Sequence, residues 1–302
     1  MKYLESGIAH LRPLLSGLLA YLFRYLFGLR RVILFLSKVF PIMHFFSISP
    51  AFVFRSNSCR LPIVLCVTCL AVVLLAGCKN RDPESAGIIE LVDLSAFEPV
   101  ADNWKIVGAV EVDRSGEKLM SSTPGTGVLF CSPTETEKDN LFTKFEHVDI
   151  ELEVELMVPV KSNSGLYFQG RYEVQILDSW GVAKLRHADI GGIYQRWDPS
   201  RGEGKEGYEG HPPLVNAAKE PGEWQTYRVK FRAPRFDDAG NKTENARFEE
   251  VWLNDQLVQK DVEVTGPTRS SHSEDEVPMG ALMIQGDHGP VAFRNLSYRL
   301  LP

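Results

Sequence analysis

Val148-Asp-Ile-Glu-Leu-Glu-Val-Glu-Leu156 alternates apolar and acidic residues without a break. Successive side chains of a β-strand point to opposite faces. The pattern therefore predicts a long strand with Val148, Ile150, Leu152, Val154 and Leu156 on a core and Asp149, Glu151, Glu153 and Glu155 in solvent. The acids read as the wet face of an antiparallel sheet, because no other chemistry-bearing residue in the segment converges on them. The same period recurs at Tyr227, Val229 and Phe231 against Arg228, Lys230 and Arg232. It recurs again at Val291, Phe293 and Asn295 against Ala292 and Arg294. Val251–Leu253 and Gln256–Val258 flank Asn254-Asp255, a turn-prone pair that reads as a hairpin tip. Leu282-Met283-Ile284 is a short buried run. No segment after residue 86 sustains a helical period for three turns, and no repeat of about 20 to 50 residues is visible. Many short strands with Gly, Pro, Asn and Asp turns predict an all-β antiparallel sandwich or jelly roll.

The 302 residues are 44% apolar and 24% charged, an ordinary globular composition. Charge is unevenly divided. Residues 1–78 hold eight Lys and Arg against one acid, a net of +7; residues 79–302 hold 25 against 38, a net of −13. An acidic body argues against a nucleic-acid partner, which needs clustered Lys and Arg. Cys59, Cys66, Cys69 and Cys78 lie at the front and Cys131 alone in the body. A lone body cysteine forms no internal disulfide and has no metal-ligand spacing; a small buried thiol is its expected state.

The front reads as an address. Arg55 and Arg60 precede the 17-residue stretch Leu61–Gly77, which ends Leu75-Ala76-Gly77-Cys78. A basic region, an apolar run and small residues before the cut form a secretory signal peptide. The terminal motif resembles a bacterial lipobox, which implies lipidation at Cys78 and a protein anchored through lipid to a membrane of the cell envelope. A plain transmembrane anchor is the competing reading, at the short end of a span. Residues 1–60 carry further apolar runs, and a start at Met43 would leave a signal of ordinary length. The division expected is 1–77 for targeting, 78–86 for the lipidated cysteine and tether, and 87–302 for one folded domain.

No nucleophile elbow, P-loop, dinucleotide fingerprint or HExxH motif occurs. The densest polar constellation is Asn163-Ser-Gly-Leu-Tyr-Phe-Gln-Gly-Arg-Tyr-Glu-Val-Gln-Ile-Leu-Asp178. Gly170 is expected at a turn between two strands. On the second strand Arg171, Glu173 and Gln175 would share one face, offering a cation, a carboxylate and an amide suited to sugar hydroxyls. An ordinary polar sheet face fits the spacing as well. Glu173 is a candidate general base. Gln285-Gly-Asp-His-Gly-Pro290 places His288 in a tight turn that would aim its imidazole. Trp224 offers a stacking surface for a sugar or a core side chain. Gly191–Glu223 is long, irregular and rich in Gly, Pro and charge, with Tyr194, Trp197 and Tyr208 within it; such a stretch suits the lining of a binding groove.

Asn163-Ser-Gly165, Tyr172–Asp178, Pro212-Pro-Leu-Val-Asn-Ala217, Pro221–Tyr227 and Gln285–Asn295 resemble, in order, the 3-keto-disaccharide hydrolase domain family, also known as DUF1080. The resemblance runs from about Gly87 to the C-terminus. Gln169 departs from an expected basic residue before Gly-Arg, and Gly286 interrupts a more usual Gln-Asp-His-Gly. The family implies a concanavalin A-like jelly-roll β-sandwich, common in secreted and lipid-anchored bacterial proteins, acting on a sugar or glycoside. Its chemistry needs a base near C2 of a 3-keto sugar, a donor to the 3-oxygen and an acid for the leaving oxygen. The resemblance points to Glu173 and His288 as base or acid in either order, and to Asp178 as an orienting group. Arg171, Gln175, Tyr194, Asn216, Trp224 and Gln285 are the expected substrate-binding residues. No cofactor and no metal ligands are expected, though a divalent metal could replace the donor. A non-catalytic, lectin-like surface lipoprotein is the competing reading, since the jelly roll also serves binding modules. A direct glycosidase needs two carboxylates flanking one bond, and the Glu-x-Asp-x-Glu spacing is absent.

Overall fold

A computed structural model describes residues 86–301. The Leu61–Gly77 run, Met43 and Cys78 lie outside the described residues. Among the described residues there is no α-helix, only a single 3₁₀ turn at Pro199–Arg201, and sixteen strands. No helix there is long and apolar enough to cross a membrane.

The strands are β1 (Ala86–Ile88), β2 (Trp104–Val112), β3 (Met120–Cys131), β4 (Leu141–His147), β5 (Ile150–Met157), β6 (Asn163–Phe168), β7 (Tyr172–Leu177) and β8 (Arg196–Trp197). There follow β9 (Gly207–Tyr208), β10 (Gln225–Arg232), β11 (Arg235–Phe236), β12 (Lys242–Glu244), β13 (Ala246–Leu253), β14 (Gln256–Val264), β15 (Gly280–Ile284) and β16 (Val291–Leu300). They build an antiparallel jelly-roll sandwich. The large sheet runs β14-β13-β10-β5-β16-β3-β2, with β1 also on β16; the small sheet runs β4-β15-β6-β7. Two small hairpins, β11–β12 and β8–β9, complete it.

The core lies between the sheets. Ile150, Leu152, Val154 and Leu156 of β5 and Tyr227, Val229 and Phe231 of β10 meet Leu166, Phe168, Tyr172, Val174 and Ile176 of the small sheet. Phe231 sits in an aromatic knot, 5.0 Å from Phe168 and 5.2 Å from Phe248 between ring centres. On the opposite face of the large sheet the acids of β5 meet basic neighbours: Glu153 stands opposite Arg228 and Glu151 opposite Lys230. Arg294 reaches Glu155 at 2.7 Å, and Arg299 pairs with Glu151. Exposed pairs of this kind contribute about 1 kcal/mol or less each, so they set register and solubility more than stability.

Two details differ from the alternation read in the sequence. Val148 is not on the core face: a bend at Val148-Asp149 separates β4 from β5 and leaves it 39% exposed. Asp149 is used at that bend, where its carboxylate accepts from Ala233 N and both guanidinium nitrogens of Arg235. Asn295 interrupts β16, with φ at 51° and a register shift between Arg294 and Ser297. The bulge returns Leu296 to the core, where strict alternation would have turned it away. At the β13–β14 tip Asn254 and Asp255 have φ of 50° and 62°, the left-handed pair that a tight two-residue hairpin turn demands.

Candidate active site

Tyr167 of β6 and Glu173 of β7 are cross-strand partners around the Gln169-Gly170 turn. In β6 and β7, Leu166, Phe168, Tyr172, Val174 and Ile176 face the core. The pleat therefore turns Tyr167, Glu173, Gly165 and Gln175 to the outer face of the small sheet. Met283 of β15 pairs with both Tyr167 and Phe142 of β4, so one row crosses the sheet as Phe142, Met283, Tyr167 and Glu173. Gly165 makes room in this arrangement: a Cβ there would overlap the Glu173 carboxyl.

Loops bury this face. Glu173 is only 2% exposed. Its backbone N–H donates to Thr268 Oγ1 at 3.2 Å, its carbonyl accepts from Tyr194 N at 3.1 Å, and the Tyr167 phenol donates to Arg269 O at 3.3 Å. Burial pushes the Glu173 carboxyl up to about 8; the neighbouring Tyr167 phenol works against that rise, and the nearby Asp287 carboxylate adds to it. Glu173 Oε2 has no partner among the described residues. At neutral pH the group is therefore a buried carboxylic acid holding a proton, the state that suits a proton donor. The Tyr167 phenol is raised for the same reason, burial first and then the charge of Glu173.

The turn after β15 closes the other side. Gln285 N donates to Gly165 O at 2.9 Å, and Ser164 Oγ donates to Gln285 O at 2.8 Å. His288 Nδ1 lies 2.5 Å from Asp287 Oδ1 and 3.2 Å from Gln285 Nε2. An Nδ1–H bound to Asp287 leaves Nε2 with its lone pair free. Gly286 passes against Asp139 O so closely that a Cβ would collide with it, while its N–H donates to Asn140 Oδ1 at 2.9 Å. Beside it the Cys131 thiol is buried and pushed up to about 12 by desolvation. The extra glycine thus lets the Asp287-His288 turn cross the end of the sandwich.

The remaining candidates are placed as follows. Arg171 lies in the turn ahead of β7, not in the strand, and its guanidinium donates to Asp275 O at 2.5 Å and Gln169 O at 2.7 Å. Gln175 shares the outer face with Glu173, but its Oε1 accepts from Ile176 N at 2.8 Å. Asp178 accepts from Lys161 N at 2.9 Å and from Trp180 N, bracing a loop. Asn216 donates to Ser179 O and Val182 O, both at 2.9 Å. Trp224 lies on the far face of the large sheet, with the Arg294 guanidinium 4.1 Å over its ring and Val107, Val128, Phe130 and Ala292 near it. Tyr194 packs edge-on to His187 at 5.3 Å, on the Glu173 side. Backbone bonds thus join Tyr194 to Glu173 and Gln285 to Gly165 beside it, with His288 in the turn that follows, whereas the polar side-chain atoms of Asp178 and Asn216 meet backbone groups and Trp224 lies on the large sheet.

The irregular segment has a structural duty as well. Gly191 N donates to Gln175 O at 3.1 Å and Gln175 N to Gly192 O at 2.9 Å, so residues 191–194 cover the otherwise open edge of β7. Gln169 is buried as a brace: its N–H donates to His147 Nε2 and its Nε2 to His147 O and Pro278 O, each at 3.1 Å. Sequence reasoning passed over three participants. Tyr167 was within the quoted motif and follows from pairing across the turn once its position is known. His147 and the Thr268-Arg269 segment carry no local signal. Among the described residues no group of three or more His, Cys, Asp or Glu is placed to hold a metal ion.

The fold thus holds a buried, proton-holding carboxyl at Glu173 and a His–Asp pair in the turn after β15, the types of group that acid–base chemistry uses. The chain belongs to the 3-keto-alpha-glucoside-1,2-lyase-like domain family, whose model matches residues 93–299. It is similar to a candidate glycosyl hydrolase from Parabacteroides distasonis solved at 2.13 Å: 22% identity over 72% of this chain and 92% of that one, TM-score 0.48. A second from the same organism gives 18%, 72%, 100% and 0.47. The carbohydrate-binding module CBM66 from Bacillus subtilis gives 11%, 66%, 96% and 0.32. No curated protein matches the chain.

Proposed function

We propose that this protein cleaves the glycosidic bond of 3-keto-glycosides by elimination followed by hydration, with Glu173 as the acid and His288 as the base. The observation that carries the reading is the Glu173 carboxyl: buried, held protonated to about pH 8 and with one oxygen unpartnered among the described residues. The ketone at C3 acidifies the C2 proton. His288 Nε2 takes that proton, its Nδ1–H fixed on Asp287. The C2–H electrons form the enolate at C3. The enolate then re-forms the ketone, C1=C2 forms, and the C1–O bond breaks toward the leaving oxygen. Glu173 supplies that oxygen with its proton. Water next adds across C1=C2: Glu173 carboxylate accepts a proton as hydroxyl joins C1, and the imidazolium returns a proton to C2. Both groups end as they began. Tyr167 and Asp287 keep the Glu173 proton affinity in range, the phenol lowering it and the carboxylate raising it.

The protein is proposed to act at the cell envelope, attached through lipid on Cys78. The test follows release of aglycone or free sugar from 3-keto-glucosides, with and without a chelator, alongside calorimetric sugar binding. Turnover well above buffer that is lost in E173Q and H288A, with binding retained, is the expected result. Unchanged turnover in both variants overturns the assignment. Binding without turnover across several substrates makes the protein a lectin-like module.

A further inference from the structure

One cation at the rim of this site has no anionic partner among the described residues. Arg269 follows Thr268, whose hydroxyl meets Glu173 N, and its own carbonyl accepts from the Tyr167 phenol. Its backbone N–H donates to Gln195 O at 2.8 Å, joining it to the segment that also brings Tyr194 N to Glu173 O. Two residues beyond Gln195, Trp197 presents its ring: the Arg269 guanidinium lies 3.8 Å over the indole centroid, and Trp197 is 38% exposed. No ion pair holds Arg269 among the described residues, although the domain carries many more acids than bases. Neighbouring arginines differ: Arg196 pairs with Glu209 and Arg201 with Asp198.

An arginine held over an indole keeps its N–H donors available to a bidentate partner. The indole's exposed portion offers an apolar surface to a sugar ring. We propose that Arg269 and Trp197 form a subsite for a carboxylate-bearing unit, a uronate or another acidic leaving group, next to the 3-keto sugar. The inference rests on the function proposed above for the Glu173 site. A carboxylate matches the guanidinium fork in charge and geometry; a neutral hexose matches neither. In an acidic body, an unpaired arginine at the mouth also selects anions against the general field.

The test titrates the purified full chain with methyl β-D-glucuronide and with methyl β-D-glucoside at low and high salt. The glucuronide should bind between about tenfold and a hundredfold tighter, the range of one charge-assisted pair, and salt should narrow the gap. R269A should abolish the preference, R269K should keep part of it, and W197A should weaken both probes; matching melting curves show that the variants fold. Equal binding of the two probes, or a preference that survives R269A, overturns the subsite. E173Q keeps the glucuronide preference, so the two readings separate. Preference without any 3-keto-glycoside turnover sinks the cleavage reading alone, and turnover without preference sinks the subsite alone.

Discussion

Replacing Glu173 by glutamine should change the pH dependence of stability more than stability itself. The carboxyl titrates near 4.5 when exposed and is pushed up to about 8 in the fold by burial. Between those values the folded chain keeps a proton that the unfolded chain has lost. Unfolding stability then falls as pH rises, by about 1.36 kcal/mol per pH unit. Over a span of roughly 3.5 units the loss is about 5 kcal/mol, fully avoided below 4.5 and complete above about 8. Glutamine has no proton to lose and nearly the same shape. Urea unfolding of both proteins from pH 5 to pH 9, taken as wild type minus variant, cancels every other titrating group. The expected difference declines steadily to about pH 8 and then levels, so that E173Q becomes the relatively stronger fold in alkali. Parallel curves from pH 5 to 8 would mean that Glu173 is ionised in the fold, and the acid role would fall with it.

His147 gives the opposite slope on the acid side. It is buried, its Nδ1–H donates to Val148 O and its Nε2 accepts from Gln169 N, and desolvation lowers it from 6.5 to about 4. The unfolded chain therefore binds the extra proton first, and about 3 kcal/mol of stability present above pH 6.5 is lost as pH falls toward 4; a folded-state NMR titration of the ring should give a midpoint near 4, and one near 6.5 refutes this. Turnover should fall as pH climbs through about 8, since Glu173 must be protonated to act as the acid; a kcat/KM profile rising through that range assigns it as the base instead. Gly165→Ala should displace the Glu173 carboxyl and cut kcat/KM about a hundredfold, with melting temperature nearly unchanged; a fully active variant shows that the carboxyl has room elsewhere. Phe231→Ala should destabilise the fold by about 3 to 5 kcal/mol in urea titration, because it empties the centre of the aromatic knot.

The strands were legible because each buries one face, and burial imposes a period of two that survives in sequence. The departures came where the backbone, not the side chains, set the geometry. A bend freed Val148, and a left-handed Asn295 shifted β16 by a residue. Glu173 was legible as the carboxylate on the polar face of a strand whose other face is apolar. What surrounds it was not. Arg171 looked like part of the same face until the Gln169-Gly170 turn placed it outside the strand, where carbonyls of the chain hold its guanidinium. Asp178 reads by type as an orienting group and Asn216 as a substrate-binding residue, yet their polar atoms meet backbone groups of nearby loops. Such loop-bracing bonds have no periodic signature. The Thr268-Arg269 wall is equally silent, because its contact with Glu173 is made across the fold by segments far apart in the chain.

The place of β16 in the large sheet has a consequence for biosynthesis. This strand stands between β5 and β3, with Ala292 opposite both Met157 and Phe130. A nascent chain that has reached Pro290 holds two incomplete sheet fragments, each with a raw edge, and nothing to join them. The large sheet can close only once β16 has been made and has paired with both fragments. Until then the chain stays open and dependent on whatever shields its edges, and a stop codon before β16 should yield aggregate, not a smaller working domain.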